Sequence, residues 1–281
     1  MPPLQDNLLH PRPAWLPEVF AAVGRHGFAT ARQLGALVSV PVAELSHALD
    51  DLVVEGLLQV LVPTHAPHGG APESAYLLAR RGAELLRVID EHAQVRPVRP
   101  EKSRYTLAHD LIRNEFGLVL ERLASMGVIE LHRFETAREK IAAVGHVASR
   151  GLPERIPLVA DGLAVVTTRG HTTALMVEID RGTVALPRMA SKYAGYLAWY
   201  RDQGPLRRFG LKSLRVLTVA PNASRLHRLR QAALDATGGR GSGLFWFAPE
   251  SAVDVTDPER LLGPVCTVAR PGDLRTEQLF A

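Results

Sequence analysis

From residue 128 to residue 248, short apolar runs alternate with stretches of helical period, and no other feature of the chain restricts its architecture more. The runs VIELHRF (128–134), LVADGLAVV (158–166), TALMVEID (173–180), LRVLTVA (214–220) and GLFWFA (243–248) have the length and the β-branched and aromatic content of strands. Helical patterns separate the last three, from Met189 to Tyr200 and from Ser224 to Ala236. Strand, helix and strand in succession imply right-handed crossovers between neighbours of one sheet, so the order predicts a mixed sheet in an α/β layer architecture. A long helical segment, RYTLAHDLIRNEFGLVLERLASMG, precedes the strands. The proline-rich tail after Ala248 reads as a segment that wraps the surface.

Residues 1–92 follow a different order. WLPEVFAAVGRH (15–26) has helical spacing and stops at Gly27, and Thr30 stands at the N-cap of TARQLGALV. Ser39 and Pro41 mark a turn into VAELSHALDDLVVEG, where Val42, Leu45, Leu49, Leu52 and Val53 share one face. LLQVLVP, the turn THAPHGGAPE and SAYLLA form a strand–loop–strand pattern, closed by the helix RRGAELLRVIDEH. Three helices and a two-stranded wing predict a winged helix-turn-helix. AQVRPVRPEKS (93–103) carries two prolines and no apolar period and reads as a linker, which leaves 104–281 for the α/β domain.

No apolar run reaches the roughly 20 residues that span a bilayer. The start, MPPLQDNLLHPRP, lacks the basic and apolar stretches of a secretory signal. The single cysteine, Cys266, excludes an internal disulfide and a multi-cysteine zinc site, and is expected in the core. A cytoplasmic protein with no membrane association is expected. The net charge of +4 is unevenly spread. Residues 1–95 carry six arginines and ten acids, whereas the remainder carries 27 basic and 19 acidic residues. The second domain is therefore the one expected to attract a polyanion.

Three carboxylates carry the candidate chemistry. Asp161 lies in VADGLAVV, shortly after Pro157, and Glu178 and Asp180 end an otherwise apolar strand. Residues two apart on a strand face the same way, so Glu178 and Asp180 address one space. Buried charges without partners are costly, and a divalent cation such as Mg²⁺ or Mn²⁺, held by hard oxygen ligands, is one explanation. Plainer ones are an Asp-Gly turn at Asp161 and an ion pair of Glu178 and Asp180 with Arg181 or Arg188. His109 and Asp110 read as a helix-surface pair, and His171 in TRGHTT as a hairpin turn. Tyr193, Tyr196, Trp199 and Tyr200 recur at helical spacing and read as a packing stripe.

Asp161 followed one hairpin later by Glu178 resembles the PD-(D/E)xK nuclease superfamily, whose core is that of restriction endonucleases. The wider set VADG, VEIDRGT, KYAGYLAWY and LRVLTVAPNASRLHRLR, preceded by AHDLIRNEF and a winged helix, resembles the plasmid replication-relaxation family. The resemblance implies a DNA-binding protein with Asp161 and Glu178 as metal ligands and a nuclease-like fold for 104–281. The pattern departs where the superfamily has lysine and this chain has Asp180, which the resemblance leaves as an extra or outer ligand. Lys192, in the next helix, is the candidate to supply the missing charge. Two readings follow. One is a metal-dependent DNA nuclease using Asp161, Glu178, Asp180 and Lys192. The other is a non-catalytic transcription or replication regulator on an inactive nuclease-like scaffold. In the winged helix, Ser46 and His47 are the candidates for base contact, and Arg32, Arg80 and Arg81 for phosphates. The same helix also carries Glu44, Asp50 and Asp51 and no basic residue but His47, so docking of a second copy or of a protein partner competes with DNA for this domain.

Overall fold

A computed structural model of the chain describes residues 13–62, 73–93, 95, 98, 100–136, 141–149, 152–273 and 275–280. The turn of the expected wing (63–72), linker positions 94, 96, 97 and 99, and residues 1–12 lie outside them. The chain divides into two compact units, Met1–Asn114 and Glu115–Ala281.

The first unit runs α1 (Leu16–His26), β1 (Ala29–Thr30), α2 (Ala31–Val38), α3 (Val42–Val54), β2 (Leu58–Leu61), β3 (Ala75–Leu78) and α4 (Arg80–Ile89), then the first half of α5 (Pro100–Ser125). Thr30 caps α2 as expected. Its hydroxyl accepts from the Gln33 N–H while the Gln33 side chain accepts from the Thr30 N–H, so two otherwise orphaned donors are satisfied. Ser39 ends α2 in the left-handed region, φ 57°. Leu45, Leu49 and Leu52 of α3 are buried, but Val42, at its first turn, is exposed. The strands form an antiparallel sheet ordered β1-β3-β2, and the two-residue β1 was too short to show in the sequence pattern.

Helix α5 differs from expectation at both levels. It begins at Pro100, inside the stretch read as a linker, and its first half packs in the first unit. Leu107 and Leu111 join Phe28, Leu61, Ala75 and Leu77 in one apolar cluster. The Asn114 amide donates to the carbonyls of His26 (3.2 Å) and Phe28 (2.8 Å). The apolar face left open by the short sheet decides this, and helical period alone cannot reveal it. Five basic and two acidic residues of 96–114 thereby move to the first unit, so the net charges of the two units become −1 and +5.

The second unit continues with β4 (Glu130–Glu135), the hairpin β5 (Ala143–Ser149) and β6 (Leu152–Leu158), then β7 (Gly162–Thr168), β8 (His171–Ile179), α6 (Leu186–Arg201), α7 (Gly204–Phe209), β9 (Leu214–Ala220), α8 (Ala223–Ala236), β10 (Ser242–Pro249), β11 (Pro264–Ala269) and β12 (Thr276–Gln278). Seven strands form a mixed sheet ordered β12-β11-β10-β9-β8-β7-β4, parallel at β8–β9 and β9–β10 and antiparallel elsewhere. Because both parallel steps go the same way along the sheet, right-handed crossovers put α6 and α8 on one face. There Met176, Val216, Phe245 and Phe247 pack with Tyr193, Tyr196, Leu229 and Ala233. Leu175, Val177, Leu217 and Val219, on the other face, are buried as well, which explains why these strands read as continuous apolar runs.

Three expectations are corrected here. LVADGLAVV is two strand ends, β6 closing at Leu158 and β7 opening at Gly162, so Asp161 sits at a junction. The β5–β6 hairpin was not anticipated, because PERIP breaks the alternation. The tail does not wrap the surface, since β11 and β12 extend the sheet and bury Cys266 and Val268.

The hairpin rests on α6 through two glycines. A Cβ on Gly145 would stand 2.2 Å from the Gly195 carbonyl oxygen, and one on Gly195 2.8 Å from the Ile156 side chain. Gly145→Ala must therefore push the hairpin off the helix. A loss of about 1–3 kcal/mol in chemical denaturation is expected, as for other overpacked contacts. An unchanged midpoint would show that the hairpin does not bear on α6.

Candidate functional site

Glu178 and Asp180 stand at the carboxyl end of β8, on the face that carries α6 and α8, as period 2 demands. Both are nearly sealed, at 4% and 3% exposure. The two helices give them different partners. From α6, the Lys192 ammonium donates to Glu178 Oε2 at 2.5 Å and the Tyr196 hydroxyl to Oε1 at 2.5 Å. From α8, the Arg225 guanidinium grips Asp180 bidentately, Nε to Oδ1 and Nη2 to Oδ2, each at 2.8 Å. The Gly182 N–H also donates to Asp180 Oδ1 at 2.7 Å. Arg225 is aimed by its position in the first turn of α8, where Asn222 caps the helix by accepting from the Arg225 N–H, and it further donates to the Val184 carbonyl. Between the two pairs, the Tyr193 and Thr218 hydroxyls lie 3.0 Å apart.

Asp161 faces Glu178 from the start of β7. Its N–H donates to the Val177 carbonyl and its Oδ2 accepts from the Ile179 N–H, 2.8 Å each, so the side chain continues the β7–β8 ladder by one rung. Lys192 completes the group by donating to the Val159 carbonyl at 2.8 Å. Burial pushes the Glu178 carboxyl up to about 7, and the charge of Asp161 adds to the shift, while Lys192 and the Tyr196 hydroxyl oppose it. Burial beside Glu178 likewise drives the Tyr196 hydroxyl well above the usual range.

The structure thus brings together Asp161, Glu178 and Lys192 and turns Asp180 away to Arg225. The plainer expectation of an ion pair holds in kind, although the cations are Lys192 and Arg225 rather than Arg181 or Arg188. Sequence reasoning missed Arg225, which is one of many arginines and lies 45 residues from its partner. It also read Tyr196 only as packing, when the hydroxyl is a donor to the site. Among the described residues no group of three or more His, Cys, Asp or Glu side chains is placed to hold a metal ion. Both Glu178 oxygens accept short hydrogen bonds and Asp180 is fully engaged, so a divalent cation at this position would have to displace the Lys192 ammonium. As arranged, the residues do not fit a resident Mg²⁺ or Mn²⁺.

His109 and Asp110 lie in the first unit, where Asp110 accepts from Thr106 and Arg113. The candidate DNA contacts of that unit are scattered. The Ser46 hydroxyl donates back to the Val42 carbonyl within α3. Arg80 pairs with Glu84 one turn on, Arg81 donates to the Glu55 carbonyl at the end of α3, and Arg32 stands beside Glu73. His47 is exposed on α3, and its side chain makes no hydrogen bond among the described residues. Asp50 accepts from the Tyr76 hydroxyl and so fastens α3 to β3.

A family model described as replication-relaxation matches residues 20–211, a span that takes in most of the first unit and the whole Asp161–Glu178–Lys192 cluster. No curated protein and no solved structure matches the chain. No described helix is long and apolar enough to cross a membrane.

Proposed function

Since the chain belongs to the replication-relaxation family, we propose that it is a DNA-binding replication protein, with a winged helix in its first unit and a nuclease-like second unit that holds DNA without cutting it. The observation that carries this reading is the engagement of the carboxylates. Asp180 stands where nucleases of this pattern have lysine and is neutralised by Arg225 at 2.8 Å, and Glu178 is held between Lys192 and Tyr196. Buried charges paired in this way fix a fold, whereas phosphoryl chemistry needs carboxylates open to a cation. The helix order of the first unit and its antiparallel β2–β3 pair support the winged helix. The excess of basic residues in the second unit supports DNA contact there. Glu44 and Asp51, exposed on α3, repel phosphates and so support docking of a second copy or a protein partner there.

The alternative, a metal-dependent nuclease, has one observation in its favour: Lys192 reaches Glu178 from α6 while Asp161 faces the same carboxylate. Two measurements on the full chain separate the readings. Fluorescence anisotropy should show duplex DNA binding that weakens about tenfold or more between about 50 and 200 mM salt, equivalent to roughly two neutralised phosphates. Supercoiled plasmid incubated with Mg²⁺ or Mn²⁺ should remain supercoiled. Metal-dependent nicking by the wild type that disappears in Asp161→Ala, Glu178→Ala and Lys192→Ala would overturn the non-catalytic reading. No affinity would overturn DNA binding itself, and a salt-independent affinity would overturn its basis in the positive charge of the second unit.

A further inference from the structure

A second polar site lies on the opposite face of the sheet, at its other end. β7 and β8 are joined by Arg169 and Gly170, both in the left-handed region (φ 49° and 78°), a tight two-residue turn that pairs Thr168 with His171. Register then places Val166 opposite Thr173 and Leu175 opposite Arg215 of β9. Thr173 and Leu175 are odd-numbered on β8, so they point away from the face of Glu178. A cavity of about 350 Å³ opens between them, lined also by Ser213 and Phe280.

Its chemistry is that of an anion site with an apolar wall. The Arg215 guanidinium lies over the Trp246 ring, 4.5 Å from its centroid, and Nη1 donates to the Leu279 carbonyl. Among the described residues it has no carboxylate within ion-pair distance. The nearby Glu277 is taken by Arg270. Arg215 is therefore a half-buried cation, held by the Trp246 ring and the Leu279 carbonyl, with Nε and Nη2 still able to donate. A guanidinium with free donors in its planar fork suits an oxyanion. The Thr173 and Ser213 hydroxyls stand 3.0 Å apart beside it, and either can turn to donate outward. Several donors converging from more than one direction suit a tetrahedral phosphate better than a planar carboxylate. Leu175, Val166 and Phe280 supply an apolar surface for a ring, and the volume falls at the small end of ligand pockets.

We propose that this cavity binds a terminal nucleotide phosphate monoester, with the phosphate on Arg215, Thr173 and Ser213 and the ring against Leu175 and Phe280. The phosphate comes either from a free mononucleotide or from the 5′ end of a DNA strand. The site is separate from the carboxylate cluster, so it stands whether or not the second unit cuts DNA.

The test is calorimetric titration of the full chain with inorganic phosphate and deoxyadenosine 5′-monophosphate, with deoxyadenosine as the control. The monophosphate is expected to bind saturably and the nucleoside not to bind. Arg215→Gln should weaken the monophosphate about tenfold or more, the usual size for loss of a charge-assisted hydrogen bond. Should Arg215→Gln fail to fold, the pair Thr173→Val with Ser213→Ala removes two donors that satisfy each other and gives the same reading. Displacement of the monophosphate by a 5′-phosphorylated oligonucleotide, but not by its 5′-hydroxyl form, assigns the site to DNA ends; no displacement by either assigns it to free nucleotides. Absence of saturable binding of both phosphate and monophosphate to the wild type, or unchanged affinity in every folded variant, overturns the proposal.

Discussion

Arg225→Met is expected to lower the melting temperature by roughly 6–20 °C. The Asp180 carboxylate would be left at 3% exposure, keeping the hydrogen bond from the Gly182 N–H. Breaking one side of a buried ion pair costs about 3–5 kcal/mol, and each kcal/mol corresponds to roughly 2–4 °C in a unit of this size. The loss belongs to the abandoned carboxylate rather than to the contact itself. Asp180→Leu combined with Arg225→Met should therefore recover most of the stability, because an apolar pair of similar volume carries no desolvation penalty. Thermal melts of the two single variants and the double variant form the cycle. Additive losses would mean that the pair is not the source.

Lys192→Met should show a pH-dependent defect instead. In the wild type the folded Glu178 carboxyl binds its proton more tightly than the unfolded one, about 7 against 4.5. Its contribution to stability is therefore greatest at low pH and declines as pH rises from about 4.5 through 7. Removing the ammonium at 2.5 Å takes away an interaction that favours the charged form, so the folded pKa rises further and the decline extends above 7. We expect Lys192→Met to lose about 1 kcal/mol at pH 5.5, where the carboxyl is protonated and still accepts from Tyr196. At pH 8 the loss should be about 2 kcal/mol, because a carboxyl with a folded pKa of about 7 can answer the lost ammonium by taking up a proton at roughly 1.4 kcal/mol per pH unit above that value. Adding Glu178→Gln should remove most of the loss at pH 8. Equal losses at the two pH values would show that Lys192 acts by packing its stem and not by its charge.

Both results bear on function as well as on folding. A site whose charges are satisfied within the protein holds α6 and α8 against the sheet, and the Lys192 ammonium would have to leave Glu178 for a cation to enter. That coupling makes the metal-dependent nicking assay informative even when it is negative. The stability cycle shows separately whether the carboxylates are structural.

What the sequence determined by itself is whatever depends on near neighbours along the chain. Period 2 put Glu178 and Asp180 on one face, the Thr30–Gln33 spacing specified the cap of α2, and the strand–helix alternation specified a mixed sheet with crossovers. The tertiary structure alone decided which cation meets which carboxylate. The hand of the crossovers places α6 and α8 side by side on that face, which delivers Lys192 to Glu178 and Arg225 to Asp180 over distances of 14 and 45 residues, past the nearer Arg181 and Arg188. The same holds for α5, whose Leu107 and Leu111 answer to an apolar face in the first unit, and for β11 and β12, concealed by Pro264 and Pro271 until the sheet edge gave them a partner. Local pattern fixes the direction in which a side chain points, and packing between distant elements fixes what it finds there.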